Sequence, residues 1–509
     1  MSDIITRLTV VINDIVWGAP TLTLIMGTGI LLTFLTKGFQ FTHFGYAMKE
    51  TFGGLRKPAS SMNHSRNPSQ KTSSGNPHTI SQFQALCTAL SATIGTGNIS
   101  GIAYAITVGG PGAVFWMWIA AFTGMITGFS EKVLGIYYRK KNSDGAWCGG
   151  PMYYLEYGLG SCKGCKNLGK ILALLFSVFT ILASFGIGNM SQVASIRESV
   201  LSVVSFSGIY KSDSFFIGIF IAVTAAFVIL GGLNRIAGAN ERLVPFMAGF
   251  YILGTAVILI QNSSHIIPAF EAISRHAFSK EAMLGGVGGT VMRHAISCGF
   301  KRGVFSNEAG LGSSVIVHAA ADVTEPVKQG FWGIFEVFFD TLVICTLTAL
   351  VILTSGLVDL NTGLVLSSNS SLALATEVFI GSFGMPGGIF MAVSVTLFAF
   401  ATILGWNFYG TKAWEYLFGK KTTTLYKYIY LAVILLGCTL KADMIIDLSD
   451  IFNGLMALPN MIGVLSLTPM VLAILYNYKQ RKFHGATHLT PMLSYFSDIQ
   501  AEQIQKKDF

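Results

Sequence analysis

Two glycine-rich stretches hold the residues of this chain that could do chemistry. The first is Ser91-Ala92-Thr93-Ile94-Gly95-Thr96-Gly97-Asn98-Ile99-Ser100-Gly101, inside a region, 72–130, that contains no Lys, Arg, Asp or Glu. Three glycines within seven residues, mixed with Thr, Ser and Asn, work against both helix propensity and apolar packing. The pattern predicts a helix that unwinds at its centre. Such a break inside a membrane frees carbonyls that can hold a small cation. It also exposes amides at the start of the second half-helix, where the dipole favours an anion. Gly97 and Gly101 have the spacing of a small-residue packing face as well, but Asn98 between them favours a binding site. The second stretch is Gly303-Val304-Phe305-Ser306-Asn307-Glu308-Ala309-Gly310-Leu311-Gly312-Ser313. An ionisable side chain within a span faces a cavity or a partner. Glu308 therefore meets an ammonium group or a coupling cation, or pairs with Lys301, Arg302 or Arg293.

The elements that must hold these stretches follow from composition. The 509 residues are 52% hydrophobic and only 12% charged, with a mean hydropathy of +0.58. Soluble domains carry about a quarter charged residues, so soluble, disordered and nucleic-acid-binding classes are excluded. A helix crosses the bilayer with about 20 apolar residues. Eleven spans are expected on that basis: 15–35, two within 80–130 joined at Gly109-Gly110-Pro111-Gly112, then 171–196, 214–232, 243–262, the glycine-rich and charged 283–320, 331–356, 388–416, 428–440 and 451–476. The expected fold is an all-α integral membrane protein. Its parts are an N-terminal helix and cytoplasmic loop (1–79), a core (80–476) and a polar cytoplasmic tail (477–509).

The broken stretches open two sets of five spans, 80–262 and 283–476. Five is odd, so the halves insert in opposite directions, the inverted-repeat signature. Each break is followed by a turn and a helix starting with Gly and Trp, Gly112 to Trp116 in one half and Gly330 to Trp332 in the other. Of the 34 Lys and Arg, 24 fall in loops expected on one side and six in those on the other. This asymmetry predicts a multi-pass protein of the plasma (inner) membrane with its N-terminus outside and its C-terminus in the cytoplasm. The first apolar run has no cleavage pattern and is expected to stay as a helix. Contact of the basic loops with anionic lipid is a secondary expectation.

The stretches SATIGTGNISG (91–101), GGPGAVFWMWIAAFTGM (109–125), FGIGNMSQVASI (185–196), FKRGVFSNEAGLGSS (300–314) and FAFATILGWNFYG (398–410) together resemble the alanine or glycine:cation symporter family, sodium-coupled carriers of the amino acid-polyamine-cation superfamily. The resemblance covers about 80–476. It implies a leucine-transporter-like five-plus-five inverted repeat preceded by one extra helix. It also implies import of alanine or glycine with Na+, occasionally H+, and no cofactor beyond the coupling ion. Carried onto this chain, Thr96 and Gly97 would offer amides to the substrate carboxylate, beside an ion touching Thr93 and Asn98. Gln192, or Asn189 one turn earlier, would meet the ligand's polar groups. Phe305 would close over the ligand, Ser306 would reach the ion, and Asn307 or Glu308 would meet the ammonium group. A second ion would take carbonyls of Ser91 and Ile94 with Phe398, Ala401 and Thr402, which share a face at i, i+3, i+4. Trp406, one turn on, would cap a small pocket.

Other classes fit less well. A membrane-embedded enzyme calls for His, Cys, Asp or Glu at catalytic or ligand spacing, and His294 and His318 stand apart from any such group. A channel calls for a symmetric pore motif rather than two inverted halves. Cys162 and Cys165 lack the second pair of a zinc site, so the seven cysteines are expected as thiols. The rival within carriers is the same fold serving another small neutral amino acid. Glu131 and Lys132 are expected to pair with each other near the inner gate. Lys301 and Arg302 either attract carboxylates or bind acids of a neighbouring helix.

Overall fold

A computed structural model describes residues 9, 11–13, 15–55, 79–203, 210–278, 287–369, 371–439, 442–486 and 488–506. Most of the polar loop at 56–79 and the start of the seventh expected span lie outside the described residues. In chain order the principal helices are α1 (Ala19–Leu35), α2 (Phe44–Leu55), α3 (Gln82–Thr93), α4 (Ile102–Gly109), α5 (Gly112–Tyr137), α6 (Lys166–Val203), α7 (Tyr210–Ile229), α8 (Leu233–Gln261), α9 (Ile266–Ala277), α10 (Val287–Asn307), α11 (Val315–His318), α12 (Pro326–Leu353), α13 (Ser371–Phe383), α14 (Met385–Phe418), α15 (Thr423–Thr439), α16 (Ala442–Ser466), α17 (Thr468–Phe483) and α18 (Ser497–Lys506). Among the described residues seven helices are long and apolar enough to cross a bilayer: α5, α6, α8, α12, α14, α15 and α16. The chain is a multi-pass membrane protein. Phe216, Phe220 and Phe227 of α7 and Phe246, Leu253 and Ile260 of α8 lie exposed on its outside, as a lipid-facing surface requires.

Both expected breaks are present. A capping box starts α3, in which Ser81 Oγ accepts from the Gln84 amide and Gln84 Oε1 from the Ser81 amide, each at 3.0 Å. The helix ends at Thr93 because Ile94 turns to ψ 79°. A π-helical turn, Gly97–Gly101, then restarts the chain into α4. In the second half, α10 stops at Asn307, and the backbone turns left-handed at Glu308 (φ +55°), Gly310 (+96°) and Gly312 (+77°) before α11. α5 packs along α10 and α12, and α14 along α3, α6 and α8. The two breaks therefore face each other across the core.

Several boundaries differ from expectation. α8 begins at Leu233 rather than 243, because its charged first turns are held as helix: Glu241 accepts from Gln84 Nε2 at 2.8 Å. α6 begins at Lys166 and widens into a π turn at Gly186–Met190. Part of the expected loop after α1 is helical, and Phe52 of α2 sits edge-on to Phe335 of α12 at 4.9 Å. The tail is docked rather than merely polar: the Tyr495 amide donates to the Tyr137 carbonyl at 2.9 Å, and Lys141 pairs with Glu502. The expected cytoplasmic loops meet at one end of the bundle. Asn142 donates to Glu415 at 3.0 Å, Arg139 to the Ala321 carbonyl at 2.7 Å, and Arg481 to Glu325 at 2.7 Å.

Candidate functional site

The first break is tied down from two sides. Thr402 Oγ1 of α14 lies 2.9 Å from the Ser91 carbonyl and 2.9 Å from that of Phe398. Ile94 and Ala401, also expected in the second ion site, are buried beside them in sequence. Ser91's own hydroxyl accepts from Asn240 at 2.9 Å. On the other side Thr96 Oγ1 donates to Gln192 Oε1 at 3.1 Å, and Gln192 Nε2 donates to the Ile187 carbonyl at 2.9 Å, a group of the α6 π turn. Gly95 is needed where these meet, since a Cβ there would lie 2.8 Å from Thr402 Oγ1. Gly95→Ala is accordingly expected to lower transport at least tenfold. Gly238→Ala, whose Cβ would meet nothing within 4 Å, should leave it unchanged. Uptake by the two variants checks this.

A residue outside the expected set holds the centre. Asp340, in the π-helical middle of α12, is fully buried. Its Oδ1 accepts from Asn98 Nδ2 at 2.6 Å, and its Oδ2 from Ser306 Oγ at 2.7 Å and Thr341 Oγ1 at 2.9 Å. One carboxylate thus joins both breaks. Among the described residues no Lys, Arg or His forms an ion pair with it. Three neutral donors do not offset a buried negative charge, which calls for a cation or a proton. The signal was in the sequence: 331–356 is an apolar run, yet it contains Glu336 and Asp340.

A cavity of about 60 Å³ lies between the breaks. Thr93, Thr96, Gly97, Gln192, Phe305, Ser306 and Glu308 are all in its wall, as are Arg302 and Asp450. Asn98, which accepts from the Gly95 amide at 3.0 Å, and Thr402 lie against Gly95 of that wall. Two expected substrate contacts lie outside this wall. Asn307 faces α12, donating to Thr341 Oγ1 at 3.0 Å and accepting from the Ala309 amide at 3.0 Å, because the helix breaks one residue later. Trp406 is buried outside the wall: its indole packs on Gly188 of the π turn, where a Cβ would come 2.2 Å from Trp406 Cβ. Asn189 likewise bonds the Tyr430 carbonyl, at 2.8 Å.

The ionisable residues around the second break are sorted by the fold. Glu308 accepts from the Ser313 hydroxyl and has no ion pair with Lys301, Arg302 or Arg293. Lys301 and Arg302 instead turn to Asp450 of α16, at 3.2 and 3.8 Å. Arg302 also lies over the rings of Tyr104 and Phe305, at 4.6 and 5.3 Å, roofing the cavity. Glu131 and Lys132 do not pair with each other, since adjacent helical residues point apart. Glu131 accepts from the Gly310 amide at 3.0 Å and from Asn460 at 2.6 Å, and Lys132 binds Glu336 at 2.9 Å, with His318 on the same carboxylate. These contacts pin the second break below Glu308. All seven cysteines are free thiols, and Cys345 lies 3.1 Å from Ser306 Oγ.

Comparison with known proteins gives the family and the type of fold. The sodium/alanine symporter AgcS of Methanococcus maripaludis is 43% identical over 91% of this chain and 94% of its own length. A probable sodium/glutamine symporter of Bacillus subtilis, GlnT, is 34% identical over 95% of this chain and 93% of its own. The crystal structure of MhsT in complex with L-phenylalanine superposes with a TM-score of 0.50 at 12% identity, covering 78% of this chain and 98% of that one. That likeness shows a leucine-transporter type of fold. Residues 2–491 match the profile of the sodium:alanine symporter family. The chain belongs to the sodium:alanine symporter family, carriers that couple amino-acid transport to Na+.

Proposed function

We propose that this protein imports alanine or glycine with Na+ by alternating access around the cavity between the two breaks. The observation that carries the reading is the cavity's size and wall. The cavity is small, about 60 Å³, which suits a compact zwitterion such as glycine or alanine better than a longer side chain. Glutamine, the substrate named for one relative, is nearly twice as large. Amides at Thr96 and Gly97, at the start of the second half-helix, suit the substrate carboxylate. Glu308 suits the ammonium group, and Gln192 orients the zwitterion through the hydroxyl of Thr96. The aromatic face of Phe305 closes the pocket.

The reading includes two cation positions. The first uses Asp340 with the hydroxyls of Ser306 and Thr93, oriented by Asn98. The second uses the Ser91, Ile94, Phe398 and Ala401 carbonyls with the hydroxyl of Thr402. Each Na+ moving with the zwitterion carries one net charge, worth about 2.3 kcal/mol per 100 mV, so transport is electrogenic. The reading includes eleven spans with two inverted sets of five, an N-terminus outside and the basic loop end in the cytoplasm. The clustering of those loops at one end supports it. The pair of Arg302 and Asp450 is then a gate on the outer side.

The test is uptake of labelled alanine and glycine into proteoliposomes under an inward Na+ gradient. Accumulation is expected, lost when K+ replaces Na+, and not inhibited by excess glutamine. Uptake that follows a proton gradient without Na+ overturns the ion assignment. Strong competition by glutamine overturns the size argument.

A further inference from the structure

A second cavity, of about 320 Å³, opens at the end of the bundle where the basic loops meet. It lies between the turn joining α7 to α8, the last turns of α14 and the start of α15, and shares no wall residue with the transport cavity. Its wall contains Asn407, Lys412, Glu415, Lys420, Thr423 and Lys427. The acid there is already engaged. Glu415 takes Lys412 on one oxygen at 2.8 Å and Asn142 on the other at 3.0 Å, while Lys420 pairs with Asp144. Among the described residues no carboxylate pairs with Lys427, which is half-buried. A cation held in a wall without a counter-ion favours an anionic ligand.

Asn407 supplies the independent observation. It is fully buried in the same wall, and neither Oδ1 nor Nδ2 has a hydrogen-bond partner. Leaving both ends of a buried amide unmatched is unfavourable, and a ligand that satisfies them must accept and donate. A bare phosphate diester accepts only. A third constraint comes from Phe227, Leu230, Phe418, Leu425 and Tyr428, exposed apolar or aromatic side chains within four residues of wall positions in the chain, the kind of surroundings found at headgroup level.

We infer that this cavity binds a phosphate ester carrying a free hydroxyl, a phosphoglycerol type of group, with the phosphate at Lys427 and the hydroxyl at Asn407. Two sources share that chemistry, the headgroup of an anionic phospholipid and a soluble polyol phosphate. Those apolar side chains favour the lipid, in keeping with basic pockets between helices on cytoplasmic faces.

The experiment measures lipid retained by the purified full-length protein in native mass spectra, after exchange with phosphatidylglycerol or phosphatidylcholine. Thermal unfolding with and without glycerol phosphate is followed alongside. Wild type is expected to retain phosphatidylglycerol in preference, and Lys427→Gln to lower that retention at least tenfold while Na+-driven alanine uptake persists. Asn407→Leu should lower it as well; because it alters a buried position, Lys427→Gln at the cavity wall is the deciding variant. Stabilisation by glycerol phosphate that is lost in Lys427→Gln, without preferential lipid retention, identifies the soluble source. Equal retention of both lipids with no response to glycerol phosphate, or retention unchanged in Lys427→Gln, overturns the inference.

Discussion

Asp340→Asn is expected to lower Na+-driven alanine uptake at least a hundredfold and to abolish measurable 22Na+ binding at one of the two sites. The carboxylate is fully buried and receives Asn98, Ser306 and Thr341 at 2.6 to 2.9 Å. Asparagine keeps its shape but removes the charge. At an effective dielectric near 20, a unit charge about 4 Å from a cation contributes roughly 4 kcal/mol, and each 1.4 kcal/mol is about tenfold in binding, so a hundredfold loss is a conservative expectation. The neutral amide also presents its Nδ2 to donors, so one hydrogen bond to Ser306 or Asn98 is lost. Ion binding measured directly, beside helicity and elution profile, separates loss of the site from loss of the fold. Normal Na+ binding in a folded Asp340→Asn protein would sink the assignment of that site.

Thr402→Ala is expected to raise the Na+ concentration for half-maximal uptake by about ten- to a hundredfold, and Thr402→Ser to preserve it. Thr402 Oγ1 is the side-chain oxygen that meets the Ser91 carbonyl at the break, and the same atom bonds the Phe398 carbonyl. A hydrogen bond or ligand contact to a charged group contributes about 1.5–3 kcal/mol, which sets that range. The alternative is a purely structural tie between α3 and α14. Under it Thr402→Ala lowers thermal stability and the maximal rate but leaves the Na+ half-saturation where it was. Measuring half-saturation and unfolding temperature on the same preparations distinguishes the two.

The breaks were legible because their signal is local. Glycine density at 91–101 and 303–313 makes a continuous helix unfavourable wherever the rest of the chain lies, and the structure unwinds at Ile94 and Glu308. Thr402 was singled out through the family resemblance, and the structure puts its hydroxyl on the Ser91 carbonyl. Asp340 was readable as an acid inside an apolar run, but its partners, 242 residues away at Asn98 and 34 away at Ser306, are set by how α12 packs. The opposite case is Asn307 and Trp406. Their sequence positions match the site, but rotation about the helix axis turns one toward Thr341 and the other toward Gly188.

By itself the sequence determined the membrane class, the two broken stretches and the family resemblance. Those properties follow from composition, hydropathy and residues close together in the chain. Only the tertiary structure decided that Lys301 and Arg302 turn to Asp450, that Glu131 and Lys132 part toward Gly310 and Glu336, and that Asp340 bridges the breaks. Each of these choices pairs a buried polar group with another far off in sequence. In a low-dielectric interior such groups must be matched, but which partner is in reach depends on the packing of helices against one another.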